Sequence, residues 1–335
     1  MNIGKVSESV LKRSVLKYVQ QNSKSIDKAC HLIQGAKIGA DCALFAVSEG
    51  GTSRMGSATA AAIGRHRMVV VEAMIIACNN LICGGAEAFG VELSLVLPEA
   101  AYESELRHMM EEAEQFAADH QITILGGHTT VSPFVTETIA TVTALGISRG
   151  FEVKTMKPGM DVVISKWIGL QGTAKIAKTK KNELEMRLPS RMIAEASRYN
   201  MYLSVLPEAR VAMEAGVCAM HDISGGGIYR ALWELAEAAQ AGIRIDLKKI
   251  PVKQESIEIC EVFGLNPYEL LSGGALLMVT EDGEMLAEKL VEAGVAAAVI
   301  GRLTDDNDRV LVNHTEEGDE TRFLERPKTD EIDKV

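Results

Sequence analysis

With 335 residues, 47% of them hydrophobic and 24% charged, the chain has the apolar material for two domains of ordinary size. A formal net charge of −11 without any basic run excludes binding along a nucleic-acid backbone or an anionic membrane, and aromatics at 4% leave little for stacking on bases. The opening MNIGKVSESVLKRSVLKYV lacks the apolar core of a leader, and the run MVVVEAMIIAC is interrupted by Glu72, so a cytoplasmic location is expected.

In chain order, Val6 to Gln21 reads as an amphipathic helix and DCALFAV, from Asp41, as a short strand. A Gly/Ser/Ala-rich stretch follows, with Arg54, Arg65, His66 and Arg67 reading as a solvated face. Met68 to Cys83 has the period of a buried helix, and Val91 to Leu97 is a strand ended by Pro98. Tyr102 to His120 is an acidic helix with Met109, Met110 and Phe116 inward. Ile122 to Leu125 is a strand running into the turn GGHTTV, and Glu137 to Ile147 is another strand.

MKPGM, Met156 to Met160, marks a domain boundary, after which a second α/β series starts at Asp161. It continues through helices at Gly172 to Lys178 and Tyr202 to Ala215, a strand at Gly216 to Met220, the turn HDISGGG, and a helix from Ile228 to Ala241. Strands at Ile243 to Asp246, Leu270 to Thr280 and Ala296 to Ile300, with a helix at Glu284 to Ala293, complete the series. From Thr315 the chain is acidic and polar, and a frayed tail is expected. Cys30, Cys42, Cys78, Cys83, Cys218 and Cys260 form no CxxC pair and read as buried reduced thiols. Lys166 and Lys175 read as surface groups.

Two motifs carry chemistry. HDISGGG packs His221, Asp222, Ser224 and the glycines 225, 226 and 227 before a helix. Consecutive glycines let N–H groups converge, and a helix N-terminus adds positive potential, which together make a phosphate cradle. GGHTTV offers a second turn of the same kind, with Gly126, Gly127, His128 and Thr129. The plain alternatives are a locally satisfied His221–Asp222 pair bracing its turn and a structural hydrogen-bonding role for His128.

HDISGGG, GGHTTV, ACNNLICGGAEAF and WELAEAAQAGIRIDLKKIPV together resemble the aminoimidazole ribonucleotide (AIR) synthetase-like, or PurM-like, superfamily. Ala219 to Asp222, Glu234 to Ala238, Gly242 to Ile245, Ile250 to Val252 and Ser272 to Leu277 follow the order of its HypE-like, AIR synthase-related branch. The resemblance implies an α+β fold of two domains. The N-terminal one, 39–150, would bind ATP and pair into a homodimer through an interface β-barrel; the C-terminal one, 157–312, would be an α/β sandwich. A helical extension over 1–38 and a polar tail over 313–335 would flank them.

The same resemblance implies ATP with Mg²⁺. It casts Asp41 as a metal ligand, Asn80 and Gly126 to Thr129 as nucleotide- or phosphate-binding, Ser224 to Gly227 as the second glycine loop, and His221 and Asp222 as catalytic. This chain departs from the family pattern in three places. SEGGTSRMGS stands where a Thr-Asp pair is usual, Asn79-Asn80 replaces Asn-Asp, and Gly-Gly-His replaces the Gly-Gly-Asp or Gly-Gly-Glu of several members. Mg²⁺ prefers carboxylates, so a weakened metal site is expected. Since the ending TDEIDKV has no cysteine to accept a carbamoyl group, HypE activity itself is not expected. The implied function is ATP-dependent phosphorylation of an amide or carbonyl oxygen on a small-molecule substrate. The rival is a non-catalytic nucleotide- or metabolite-binding dimer with a degenerate metal site.

Overall fold

The computed structural model describes residues 8–19, 31–46, 54–148, 150–151, 153–316 and 318–335. Cys30, named above, lies outside them. The chain divides into an N-terminal unit, 22–36 with 40–152, and a C-terminal unit that joins 1–21 and 37–39 to 153–335. Helical turns α1 (Glu8–Leu11) and α2 (Lys17–Val19) flank a π turn at Lys12–Leu16. They belong to the C-terminal unit, where Lys12 pairs with Glu237 at 2.9 Å.

The N-terminal unit is one mixed sheet backed by two helices. Its strands are β1 (His31–Gln34), β2 (Ala43–Ala46), β3 (Arg54–Gly64), β4 (Ala86–Pro98), β5 (Thr123–Ser132) and β6 (Thr138–Ser148), ordered β1-β2-β3-β6-β4-β5. Only β4 and β5 run parallel. Helix α3 (Val69–Cys83) is apolar nearly all round and almost wholly buried, and α4 (Glu103–Asp119) packs Met109, Ala113 and Ala117 inward. At the start of α4 the Tyr102 N–H donates to Glu105, at 2.8 Å, satisfying one orphan donor.

Two expectations for this unit are corrected. The stretch assigned to a helical extension contains β1, paired to β2. GGHTTV is not a turn but the middle of β5, because the long strand β4 supplies a parallel partner that local sequence does not reveal. Gly127 is needed there for close approach, since a Cβ would stand 1.9 Å from the Leu93 carbonyl oxygen. Within one chain the six-stranded sheet is open, with β1 and β5 at its edges.

In the C-terminal unit the strands are β7 (Asp161–Ser165), β8 (Ala219–Ile223), β9 (Gly242–Asp246), β10 (Ala275–Thr280), β11 (Ala297–Thr304), β12 (Arg309–Thr315) and β13 (Gly318–Phe323). They are ordered β13-β12-β9-β11-β7-β10-β8, antiparallel except β12 with β9. The helices are α5 (Leu170–Thr179), α6 (Lys181–Glu185), α7 (Ser190–Ser197), α8 (Leu206–Ala215), α9 (Gly227–Ala239), α10 (Gln254–Phe263) and α11 (Gly283–Glu292). Alternation along the strands sends Val162, Ile164, Ala219, Ile223 and Leu277 into a core with Ile228, Leu232 and Leu235 of α9. The opposite residues, such as Ser165, face α8, where the Ser165 hydroxyl donates to Glu208.

The helix expected from Tyr202 is a 3₁₀ turn, Tyr199–Tyr202, followed by α8, which Gly216 ends at φ +78°. Both tryptophans sit under cations: Lys253 lies 3.9 Å from the Trp167 ring and Arg309 3.8 Å from Trp233. Lys166, read as a surface group, is instead buried and paired with Glu208, while Lys175 is exposed as expected. Burial pushes the Cys42, Cys78 and Cys260 thiols up to about 12, in keeping with inert thiols.

The frayed tail is also corrected. After β13, Leu324 is buried, and Asp330 and Glu331 are buried at the start of a terminal 3₁₀ turn, Glu331–Lys334. Backbone donors to Asp330 and Glu331, with Leu324, Ile332 and Val335 seated on apolar clusters, hold this otherwise polar segment, whose composition alone does not reveal it. No helix among the described residues is long and apolar enough to cross a membrane.

Candidate functional site

The C-terminal glycine turn follows β8 directly. Gly226 and Gly227 hold φ at +85° and +62°, a region that side chains rarely adopt. Space also demands glycine: a Cβ on Gly227 would meet the Tyr268 carbonyl oxygen at 2.4 Å, and one on Gly226 would meet Arg230 Nε at 2.5 Å. The turn closes through the Gly227 N–H to Ser224 O at 3.1 Å. Ser224 and Gly225 are half-buried, whereas Gly226 and Gly227 are buried.

His221 and Asp222 belong to β8 rather than to the turn, and consecutive strand residues point to opposite faces. His221 faces α9, with its Nε2 3.4 Å from Glu234, which in turn lies 3.7 Å from Arg326. Asp222 lies on the α8 face, where its charge acts on Lys166. The adjacent residues therefore do not brace each other or form one dyad, and the expectation of a His–Asp pair is corrected by strand alternation. Both are buried.

Two residues that the motif reading passed over complete this turn. Arg230 sits in the first turn of α9 with its guanidinium edge against Gly226. It is 3% exposed; its Nη2 donates to the Pro327 carbonyl at 3.1 Å, and its Nε and Nη1 have no hydrogen-bond partner. Asp330 accepts the Gly226 N–H at 2.6 Å through one oxygen, and the Leu271 N–H at 3.0 Å and the Ile332 N–H at 2.9 Å through the other. Burial nonetheless raises the Asp330 carboxyl above its ordinary value. A basic residue in the first turn of a helix opposes the helix dipole, and that was the sequence signal for Arg230.

In the N-terminal unit, Asp41 lies in the turn before β2, close enough to Cys42 for its charge to raise that thiol. The Cys42 sulfur abuts Gly84, just past the end of α3, and Asn80 lies in the last turn of that helix. Asn79 is buried, and Asn80 beside it is half-buried. Gly126, Gly127, His128 and Thr129 lie exposed along the edge strand β5, with His128 opposite Ser94 of β4. Among the described residues the basic stretch is engaged with acids, His66 with Glu72 at 3.8 Å and Arg67 with Glu112 at 3.1 Å.

No group of three or more His, Cys, Asp or Glu among the described residues is placed to hold a metal ion. Mg²⁺ takes oxygen ligands in near-octahedral order and prefers carboxylates, so among the described residues Asp41 with no second carboxylate in such a group does not make a fitting protein site.

Comparison with known proteins agrees with this architecture. Residues 39–148 match the N-terminal domain of AIR synthase-related proteins, and 157–313 match the C-terminal domain. The chain belongs to the AIR synthase-related family, with the two-domain α+β, PurM-like fold. A putative hydrogenase expression/formation protein of Methanocaldococcus jannaschii is 28% identical over 241 residues, 70% of each chain. Carbamoyl dehydratase HypE of Rhodobacter capsulatus is 26% identical over 235 residues, 67% of this chain and 66% of that one. Among solved structures, the HypE–HypF complex aligns with a TM-score of 0.71 at 20% identity, covering 94% of this chain and all of its counterpart. A hydrogenase maturation protein HypE in complex with ATP aligns at 0.66 and 16% identity, over 99% and 97% of the two chains.

Proposed function

We propose that this chain is a HypE-like, ATP-using enzyme that phosphorylates an amide or carbonyl oxygen of a small molecule. The observation that carries this reading is the turn at Ser224–Gly227, opening an α-helix and flanked by a buried arginine, in a chain matched by both AIR synthase-related domains. In such a reaction the bond between the γ-phosphorus and its bridging oxygen breaks, ADP leaves, and the acceptor oxygen takes the phosphoryl group. N–H donors of the turn would stabilise charge developing on that group. Gly126 to Thr129 and Asn80 would contact nucleotide, and His221, held by Glu234, would orient substrate in the C-terminal unit. No step is assigned to Mg²⁺.

Homodimerisation in the cytoplasm belongs to the same proposal. Leu125 and Val131 of β5, Phe134 just after it, Ile63 of β3 and Ile147 of β6 are exposed apolar residues of the N-terminal unit. Pairing two such open sheets would cover them and could close the interface barrel. A strict monomer by light scattering at micromolar concentration would remove this part.

Calorimetric titration with ATP, with and without Mg²⁺, tests the main reading, followed by ADP release in the presence of carboxamides and other carbonyl compounds. Heat of binding with slow, substrate-stimulated ADP release supports it; no binding in either condition refutes it. The second reading, a non-catalytic binding dimer, is favoured by the lack of an acidic cluster among the described residues. It requires ATP binding without any turnover.

A further inference from the structure

Around Gly226 the C-terminal unit assembles more hydrogen-bond donors than its own carboxylate uses. The Gly226 and Leu271 N–H groups are taken by the two oxygens of Asp330. Nε and Nη1 of Arg230, a side chain more than nine-tenths buried, are taken by nothing among the described residues, and Nε lies against the same glycine. The N-terminus of the 13-residue helix α9 adds its positive end. A carboxylate presents two oxygens, whereas a phosphate monoester presents three in a tetrahedral array. The two backbone N–H groups and the two free donors of Arg230 make four, a number that suits the second shape better.

Asp330 reaches this place on a strap with few apolar anchors. Leu324 donates its N–H to Arg309 O at 2.7 Å, Pro327 accepts from Arg230, and Glu331 accepts the Asn266 N–H at 3.0 Å. Between Leu324 and Asp330, Glu325 and Lys328 are exposed. Leu324 itself is seated in the core, and Ile332 and Val335 rest on the apolar cluster of α5, α7 and α10, so lifting Asp330 frees the span after Leu324 by parting its hydrogen bonds and unseating those two side chains.

We infer that Asp330 is a resident, displaceable anion in a phosphate-sized site formed by Arg230 and the Gly226 and Leu271 N–H groups, so that the strap from Leu324 onward competes with a phosphorylated ligand. This rests on the reading of the glycine turn as a ligand site and adds its regulation. A ligand that needs the same donors sees only the fraction of molecules whose strap has lifted, and its apparent affinity falls by that fraction.

The probe is inorganic phosphate, titrated by calorimetry into the full chain. Asp330→Ala is expected to bind phosphate at least about tenfold more tightly than wild type, the gain for a strap closed nine-tenths of the time. Adding Arg230→Gln should cancel that gain. Unchanged or weaker phosphate binding by a folded Asp330→Ala, or a gain that survives Arg230→Gln, overturns the proposal. Hydrogen exchange on the wild-type chain guards against a variant that misfolds: saturating phosphate should deprotect the amides of 324–335 while leaving β8 protected, and unaltered strap protection overturns it equally. ATP is titrated in parallel. If ATP binds wild type and Asp330→Ala alike and phosphate binds neither, the strap idea fails while the functional reading stands; if ATP binds neither variant, that reading has failed as well.

Discussion

Lys166 and Glu208 form an ion pair at 2.8 Å in the interior of the C-terminal unit, with side-chain exposures of 9% and 1%. The ammonium also donates to the carbonyls of Tyr202 and Ser204, and the Ser165 hydroxyl donates to the carboxylate. Burial pulls the Lys166 pKa down against the opposing pull of Glu208. Removing one partner strands the other charge, so Glu208→Gln should cost about 3–5 kcal/mol. The double variant Lys166→Met/Glu208→Leu should recover most of that loss. Urea denaturation of both proteins checks this, and a double variant worse than the single would contradict it.

The glycine turn and the strand before it should respond differently to substitution. Gly227→Val places a branched side chain at φ +62° and within 2.4 Å of a carbonyl oxygen, so a loss of roughly 3 kcal/mol or more is expected. Asp222→Asn keeps size and removes one charge acting on Lys166. Its melting temperature should fall by a few degrees while ligand binding per folded molecule survives. Normal melting with lost binding or turnover would return Asp222 to a catalytic role.

Asn80 lies in the last turn of α3 and stands where the family pattern has Asp. Supplying the missing carboxylate, Asn80→Asp should strengthen ATP binding in the presence of Mg²⁺ and leave metal-free binding unchanged or weaker. Equal affinity and equal metal dependence, measured by calorimetry, would place Asn80 away from the nucleotide.

Asp330 sets a pH dependence whose sign follows from its direction of shift. Its folded pKa lies above the ordinary 3.8, chiefly through burial, against hydrogen bonds from Ile332, Gly226 and Leu271. The folded chain therefore holds this proton more tightly than the unfolded chain does. The stabilisation from that proton is full below about 3.8 and is lost as pH rises through the folded pKa. The stability of wild type minus that of Asp330→Asn should thus fall from the acid side toward neutrality. Melting temperatures of the pair across that range test it; a difference that grows with pH contradicts the assignment.

Sequence legibility followed the range of the interactions. Met68 to Cys83 and Tyr102 to His120 were readable because helix periodicity is local, and α3 and α4 fall within a residue or two of those bounds. The glycine turn was readable because positive φ leaves its mark in composition. GGHTTV was not, since its strand state depends on β4, whose pairing no local pattern encodes. Lys166, just after β7, was misplaced because its partner Glu208 sits far along the chain on α8, and the docked tail because a few long-range contacts around one carboxylate hold it. Arg230 went unread because its meaning depends on Gly226 one helical turn earlier and on a strap about a hundred residues later.

The two tryptophans, Trp167 beneath Lys253 and Trp233 beneath Arg309, both belong to the C-terminal unit. Since the chain has only these 2, the N-terminal unit is dark in tryptophan emission. Fluorescence-detected unfolding therefore follows one half of the molecule, and a single clean transition in that signal says nothing of the six-stranded sheet. Circular dichroism sees both sheets, and the gap between the two traces gives the independence of the units as a directly readable quantity.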